Sequence, residues 1–346
     1  MESSSLFKKL GAALYATCSM DARPLMATYE HRYLRALSRA ISADTPFVSK
    51  PYDCLLVTGD LSATGSTEDL GVAKSFLTGK RVSGAGGKIG RAALEFPRDR
   101  IVILPGNHDR YFGRWLRPIS KLFEHSDHFG EQWTVDKPTH SEERTNVSEY
   151  ILPSNGFDKL AIVSADFSFS KTPVLIHKWW GNGKALPNVI EDMKSVTGQL
   201  RNEGIAVVWA MHFCPDPTRV KWYLRLENGK SVVDAARDSE IPVIFCGHTH
   251  ESKTSEQAVP VDRFSGIDLR DAGSACGFGP GERSFLHIEI EVNAGKARVK
   301  TLKMIYAERT QREFESGKIK KLGEFVPHVK AKKGLRLIRR HLSEPI

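Results

Sequence analysis

The sequence contains no Cys-x-x-Cys pair, and its five cysteines (Cys18, Cys54, Cys214, Cys246 and Cys276) are widely spaced and odd in number. That excludes a disulfide framework and a thiolate zinc site as organising features, and it fits a reducing cytoplasm. No stretch approaches the roughly 20 consecutive apolar residues that a membrane-crossing helix needs. The opening MESSSLFKKLGAALYATCSMDA places a glutamate before its two lysines and breaks the apolar run behind them, so it matches an export signal poorly. A cytoplasmic location is therefore expected. Internal repeats and long low-complexity tracts are also missing; the loosest stretch is KRVSGAGGKIG at 80–90.

Acidic balance is lacking only at the end of the chain. The formal charge is +9, yet from Lys318 onward there are nine Lys or Arg against two Glu, which accounts for +7 of it. The body is nearly neutral, so the excess sits in an appendage. Residues 318–340 could hold an acidic partner or a nucleic-acid backbone, with a solvated basic tail as the competing reading. The expected division is a domain over 1–310 and a basic C-terminal tail over 311–346.

At 346 residues the chain can bury a large core. Four short runs rich in β-branched and aromatic residues stand out: CLLVTGD at 54–60, RIVILPGN at 100–107, IAVVWAMH at 205–212 and IPVIFCGH at 241–248. They are apolar without alternation, as strands covered on both faces are. Between them, YEHRYLRALSRAIS and VIEDMKSVTGQLRNEG read as helices, the second stopped by glycine. This order predicts a layered α/β fold. Past Gly273, SFLHIEIEV and KARVKTLKMIY alternate around the turn NAGK and predict antiparallel strands. The stretch 110–200 lacks clear periodicity and is expected to form insertions or cap-like loops over a cleft.

Each of the four runs ends in a residue able to bind a metal or a phosphate: Asp60, then Asn107 with His108, then His212, then His248 with His250. Ligands of open α/β sheets bind at the carboxyl ends of the strands, so these side chains are expected to converge. One carboxylate, one amide oxygen and three imidazoles, with no thiolate, suit Mn, Fe, Zn or Ni. A carboxylate can bridge two ions, and such a pair activates water for in-line attack on a phosphate ester. Cys214 and Cys246 adjoin these ligands, but without a nearby base they read as small packing residues. The tryptophans Trp179 and Trp180 read as packing too.

The fragments VTGDLSATGS, LPGNHDRY, MHFCP and CGHTH, in that order, resemble the signatures of the calcineurin-like metallophosphoesterase superfamily over residues 50 to 275. The resemblance implies a four-layer αββα sandwich of two mixed β-sheets flanked by helices, and a phosphatase or phosphodiesterase with a dinuclear centre, Mn or Fe favoured, and a metal-activated water. It implies that Asp60 bridges the ions, that Asn107, His212 and His248 complete one site, that His250 serves the other, and that His108 meets the phosphate from outside the metal shell. Asp109 can keep His108 protonated, and His108 can then stabilise a phosphate oxygen or protonate the leaving group. Arg110 is either a further phosphate contact or a surface arginine.

Members of that superfamily usually begin with Asp-x-His at the end of the first strand, and nothing before Asp60 reads so. In TCSMDARP, Asp21 stands at a suitable distance while Arg23 occupies the histidine position, and a guanidinium has no lone pair to give a metal. Three readings stay open: Asp21 is a ligand with Arg23 turned to the phosphate; His31 takes the vacant place; or the N-terminal segment departs from the family. If Asp21 is displaced, the His250 site is short of donors. The competing function is then a weakened, metallophosphoesterase-like binding module that uses its basic tail.

Overall fold

The computed structural model describes residues 37, 38, 41, 52–61, 67–80, 93, 94, 96–111, 147–152, 159–168, 182–218, 220, 224–249, 267–271, 283–307 and 325–328. Among them the four apolar runs form strands β1 (Leu55–Val57), β2 (Ile101–Ile103), β6 (Ala206–Met211) and β8 (Val243–Cys246). The other strands are β3 (Val147–Ile151), β4 (Leu160–Ala165), β5 (Gly183–Lys184), β7 (Leu226–Glu227), β9 (Asp268–Asp271), β10 (Arg283–Asn293), β11 (Lys296–Ala307) and β12 (Phe325–His328). Helices are α1 (Thr67–Leu77), α2 (Asn107–Tyr111), α3 (Pro187–Asn202) and α4 (Gly229–Asp238).

The largest sheet runs β3-β4-β6-β8-β9, with β3 antiparallel and the rest parallel. β1 and β2 pair in parallel, β10, β11 and β12 are antiparallel, and β5 pairs with β7. The fold is α/β, with mixed sheets and helices. Because side chains alternate along a strand, each central strand feeds two cores. Val207, Trp209 and Met211 of β6 and Ile244 and Cys246 of β8 pack with Val189, Ile190 and Met193 of α3 and Val232 and Ala236 of α4. Their neighbours Ala206, Val208, Ala210, Val243 and Phe245 face the other way, onto Val102 and Leu104 and the half-buried Leu56, Ile288 and Ile290. The outer faces of β1 and β2 (Leu55, Val57, Ile101) join Leu70, Phe76 and Leu77 of α1, and Leu37 and Ile41.

Local sequence explains the framing elements. α3 starts with proline in its first turn, where the missing N–H costs nothing, and it buries Val189, Ile190, Met193, Thr197 and Leu200 at helical spacing. Gly204, at φ 77°, ends it. Trp209 is fully buried, and its indole N–H donates to Thr197 Oγ1 at 2.9 Å, which fastens α3 to β6. β10 and β11 form the expected hairpin, in register from Asn293↔Lys296, with Ala294 and Gly295 both at positive φ.

Two findings differ from the sequence reading. The stretch 110–200 holds β3, β4, β5 and most of α3, and every residue of β4 is buried. β4 (LAIVSA) is half small residues, so its apolar signal is weak although its burial is complete. Within the expected tail, Phe325–His328 pairs with β11; its proline is tolerated because β12 is an edge strand. The rest of 318–340 lies outside the described residues. No helix among the described residues is long and apolar enough to cross a membrane.

Cys54, just ahead of β1, packs against the core between the sheets, and burial pushes its thiol up from an ordinary value near 9 to about 12. Burial raises the Tyr52 phenol to about 12 as well. A thiol that ionises more readily unfolded than folded leaves the unfolded state with fewer bound protons above pH 9, so stability falls with rising pH until the folded thiol ionises near 12. In denaturant titrations between pH 9 and pH 11, the wild type is expected to lose stability more steeply than Cys54→Val, by up to about 1.4 kcal/mol per pH unit. Equal slopes would show that the folded thiol ionises as readily as the unfolded one.

Candidate metal centre

The carboxyl ends of β1, β2, β6 and β8 meet. β1 runs out through Thr58 and Gly59 to Asp60; β2 turns at Gly106 into α2, whose first residue is Asn107; β6 ends at His212; β8 passes through Gly247 to His248. His212 joins the two halves. Its Nδ1 lies 2.7 Å from the carbonyl oxygen of Thr58. A carbonyl can only accept, so Nδ1 carries a proton and Nε2 is the nitrogen turned to the cleft. Around that Nε2 stand Asn107 Oδ1 at 3.0 Å, His248 Nδ1 at 3.0 Å and Asp60 Oδ2 at 3.4 Å.

The ligand atoms of Asp60, His212 and His248 lie within 4.8 Å of one another, and Asn107, His212 and His248 are all buried. Burial of so many converging lone pairs is unfavourable unless a cation or a shared proton sits among them. Carboxylate, amide oxygen and imidazole, without thiolate, form a hard-to-borderline donor set that fits a divalent ion. Phe213 backs both imidazoles, its ring centroid 5.0 Å from that of His212 and 4.8 Å from that of His248. The rings are thus fixed by packing as well as by hydrogen bonds.

The backbone is strained where the ligands stand. Asp60 has φ 56° and His248 φ 72°, left-handed values that cost a non-glycine residue on the order of 1 kcal/mol or more. Gly59 has φ 99°, and a Cβ there would come within 2.7 Å of Gly106 N, so the two loops touch backbone to backbone. Reciprocal carboxylate bonds hold them. Asp60 Oδ1 accepts the His108 N–H at 3.1 Å, while Asp109 Oδ2 accepts the N–H of Gly106 at 2.8 Å and of Leu61 at 3.2 Å. The His248 loop is tied by Gly247 N–H to His212 O at 2.9 Å, and by the Thr249 hydroxyl, which donates to Asp271 Oδ2.

Of the site residues expected from sequence, Asp60, Asn107, His212 and His248 come together. His108 is half-buried on the first turn of α2. Asp109 is fully buried, where it bonds the two loop amides. Arg110 is ion-paired with Asp166 at 2.9 Å, its side chain 14% exposed. Asp21, Arg23, His250 and the alternative His31 lie outside the described residues. Cys214 and Cys246 are buried free thiols beside the ligands.

Sequence reasoning missed Asp166 and Asp271. Both follow the rule that found the ligands, a polar residue at the carboxyl end of a parallel strand. The signal was there, but the strands before them had not been recognised.

Residues 30–252 match the family model for calcineurin-like phosphoesterases, which is well over half of the 346 residues and contains Asp60, Asn107, His212 and His248. No curated protein matches the chain significantly. A match of that extent carries the assignment: the chain belongs to the calcineurin-like phosphoesterase family.

Proposed function

We propose that the protein hydrolyses a phosphate mono- or diester at a dinuclear centre of divalent metal ions (Mn, Fe, Zn or Ni by the donor chemistry, with Mn or Fe favoured by the resemblance to the family), built from Asp60, Asn107, His212 and His248 with His250 and Asp21. The observation that carries this reading is the meeting of three ligand groups around His212 Nε2, drawn from the ends of strands in two separate sheets. Divalent cations in such a cage supply Lewis acidity toward phosphoryl oxygens and a lowered pKa for water.

The chain's own residues do the rest. Thr58 O holds the His212 ring in the tautomer whose Nε2 faces the cleft. Asp60 turns one carboxylate oxygen to the ligand cluster and the other to the amide of His108, so the same side chain seats the ions and orients α2. His108 is read as the acid that protonates the departing oxygen of the ester, and Arg110 as a contact for the phosphate. The stacked cores are read as the family's four-layer αββα sandwich, in a domain whose antiparallel sheet takes its edge strand, Phe325–His328, from the basic C-terminal stretch.

The test is metal content and turnover measured on the same preparation. Protein loaded with Mn²⁺ or Fe²⁺ is expected to hold about two ions per chain and to hydrolyse p-nitrophenyl phosphate, bis-p-nitrophenyl phosphate or both. Metal-loaded protein that turns over no ester in a broad panel would reject the enzyme reading.

A further inference from the structure

Arg110 lies three residues after Asn107 on α2, hence on the same side of the helix. Its Nε–H and an Nη2–H both reach Asp166 Oδ2, each at 2.9 Å. Asp166 directly follows β4, whose last residue, Ala165, is in register with Met211. Asp166 is therefore the strand neighbour of His212, and alternation turns both toward the β1 and β2 loops, since Ala165 and Met211 face the helix-side core. The second oxygen of Asp166 is engaged as well: Oδ1 accepts the Ser168 N–H at 3.0 Å and the Ser168 hydroxyl. The side chains of Arg110 and Asp166 are only 14% and 10% exposed. A largely buried ion pair, held from behind by Ser168, thus joins the helix that carries Asn107 to the strand end beside His212, and the proposed hydrolysis leaves its carboxylate without a task.

Resting on that reading, we propose that the Asp166–Arg110 pair sets the charge of the phosphate the site accepts, favouring phosphodiesters over monoesters. A diester carries one negative charge, and a monoester about 1.5 to 2 near pH 7. A guanidinium beside the centre with no counter-charge would reward the second negative charge of a monoester. Asp166 cancels that reward and holds the planar fork still, so Arg110 reads phosphate oxygens by hydrogen-bond geometry rather than by net charge. Asp166 acts through Arg110 and is a positioning residue.

Asp166→Asn removes the charge and keeps an oxygen for Ser168. Binding of orthophosphate and of dimethyl phosphate is measured by calorimetry at pH 8, with and without Mn²⁺, alongside kcat/KM for p-nitrophenyl phosphate and bis-p-nitrophenyl phosphate. The wild type is expected to prefer the monoanionic member of each pair. Asp166→Asn moves the preference about tenfold toward the dianion, as one unit charge at this range should, with metal content unchanged. Asp166→Glu restores the wild-type ratio, and Arg110→Gln, which leaves the carboxylate's charge behind, moves the preference the opposite way, so the proposal stays testable if Asp166→Asn misfolds. Equal loss on both members, or a change in thermal stability alone, would make the pair a tie between β4 and α2 and overturn the proposal. If the wild type hydrolyses neither ester, the hydrolase reading fails by itself, while the two binding constants still decide the role of the pair.

Discussion

Asp60→Asn is expected to strip the chain of metal and to lower phosphoester hydrolysis by more than about a thousandfold, whereas His108→Ala lowers turnover about a hundred- to thousandfold and keeps the metal. The two residues stand within one hydrogen bond of each other, yet their contacts are separable. Asp60 Oδ2 is 3.4 Å from His212 Nε2 among the ligand atoms, while Oδ1 accepts the His108 N–H at 3.1 Å and seats the first turn of α2. Asparagine preserves that second contact and tolerates the left-handed backbone at φ 56°, so the loss isolates ligation from loop anchoring. Alanine at the same position removes both functions and should also lower thermal stability. The His108 side chain lies at the half-buried start of α2, and its bond to Asp60 is made by its backbone, which alanine keeps. Metal analysis, melting temperature and kcat on each variant check the prediction, and equal metal loss in Asp60→Asn and His108→Ala would overturn the division of roles.

What the sequence discloses follows from how strongly each element depends on apolar side chains. β6 and β8 bury every residue, and beside two alanines and a cysteine they carry Val, Ile, Trp, Phe and Met, so they are readable as strands, and the candidate ligands after them are readable as strand-end residues. β4 occupies an equally buried place with two alanines and a serine among its six residues, so less of its burial is written in large apolar side chains. With β4 unrecognised, Asp166 had no strand to end, and its pairing with Arg110 was out of reach. The hydrogen bonds that order the centre are harder still, since Thr58 acts through its carbonyl and Gly106 through its amide, groups every residue carries. Only the glycines hint at them: Gly59 and Gly106 are small because the two loops touch there.

Asp109→Ala is expected to destabilise the fold by about 2–6 kcal/mol and to abolish metal binding with it. The sequence suggests that Asp109 serves His108, but the fully buried carboxylate also spans the gap between the β1 and β2 loops, one oxygen receiving the amides of Leu61 and Gly106. Alanine leaves two donors in a site closed to water, each costing about 1–3 kcal/mol. Those donors adjoin Asp60 and Asn107, so the loops that relax to find new partners are the ones that carry ligands; loss of stability and loss of metal should therefore appear together. Asp109→Asn keeps an oxygen in the same place and is expected to stay within about 1 kcal/mol of the wild type, with metal retained. Any fall in turnover in that variant then measures the part of the carboxylate's charge that reaches His108, separate from its hold on the loops. A melting temperature unchanged in Asp109→Ala would mean that the two amides are satisfied some other way, and that the loops are not fastened through this residue.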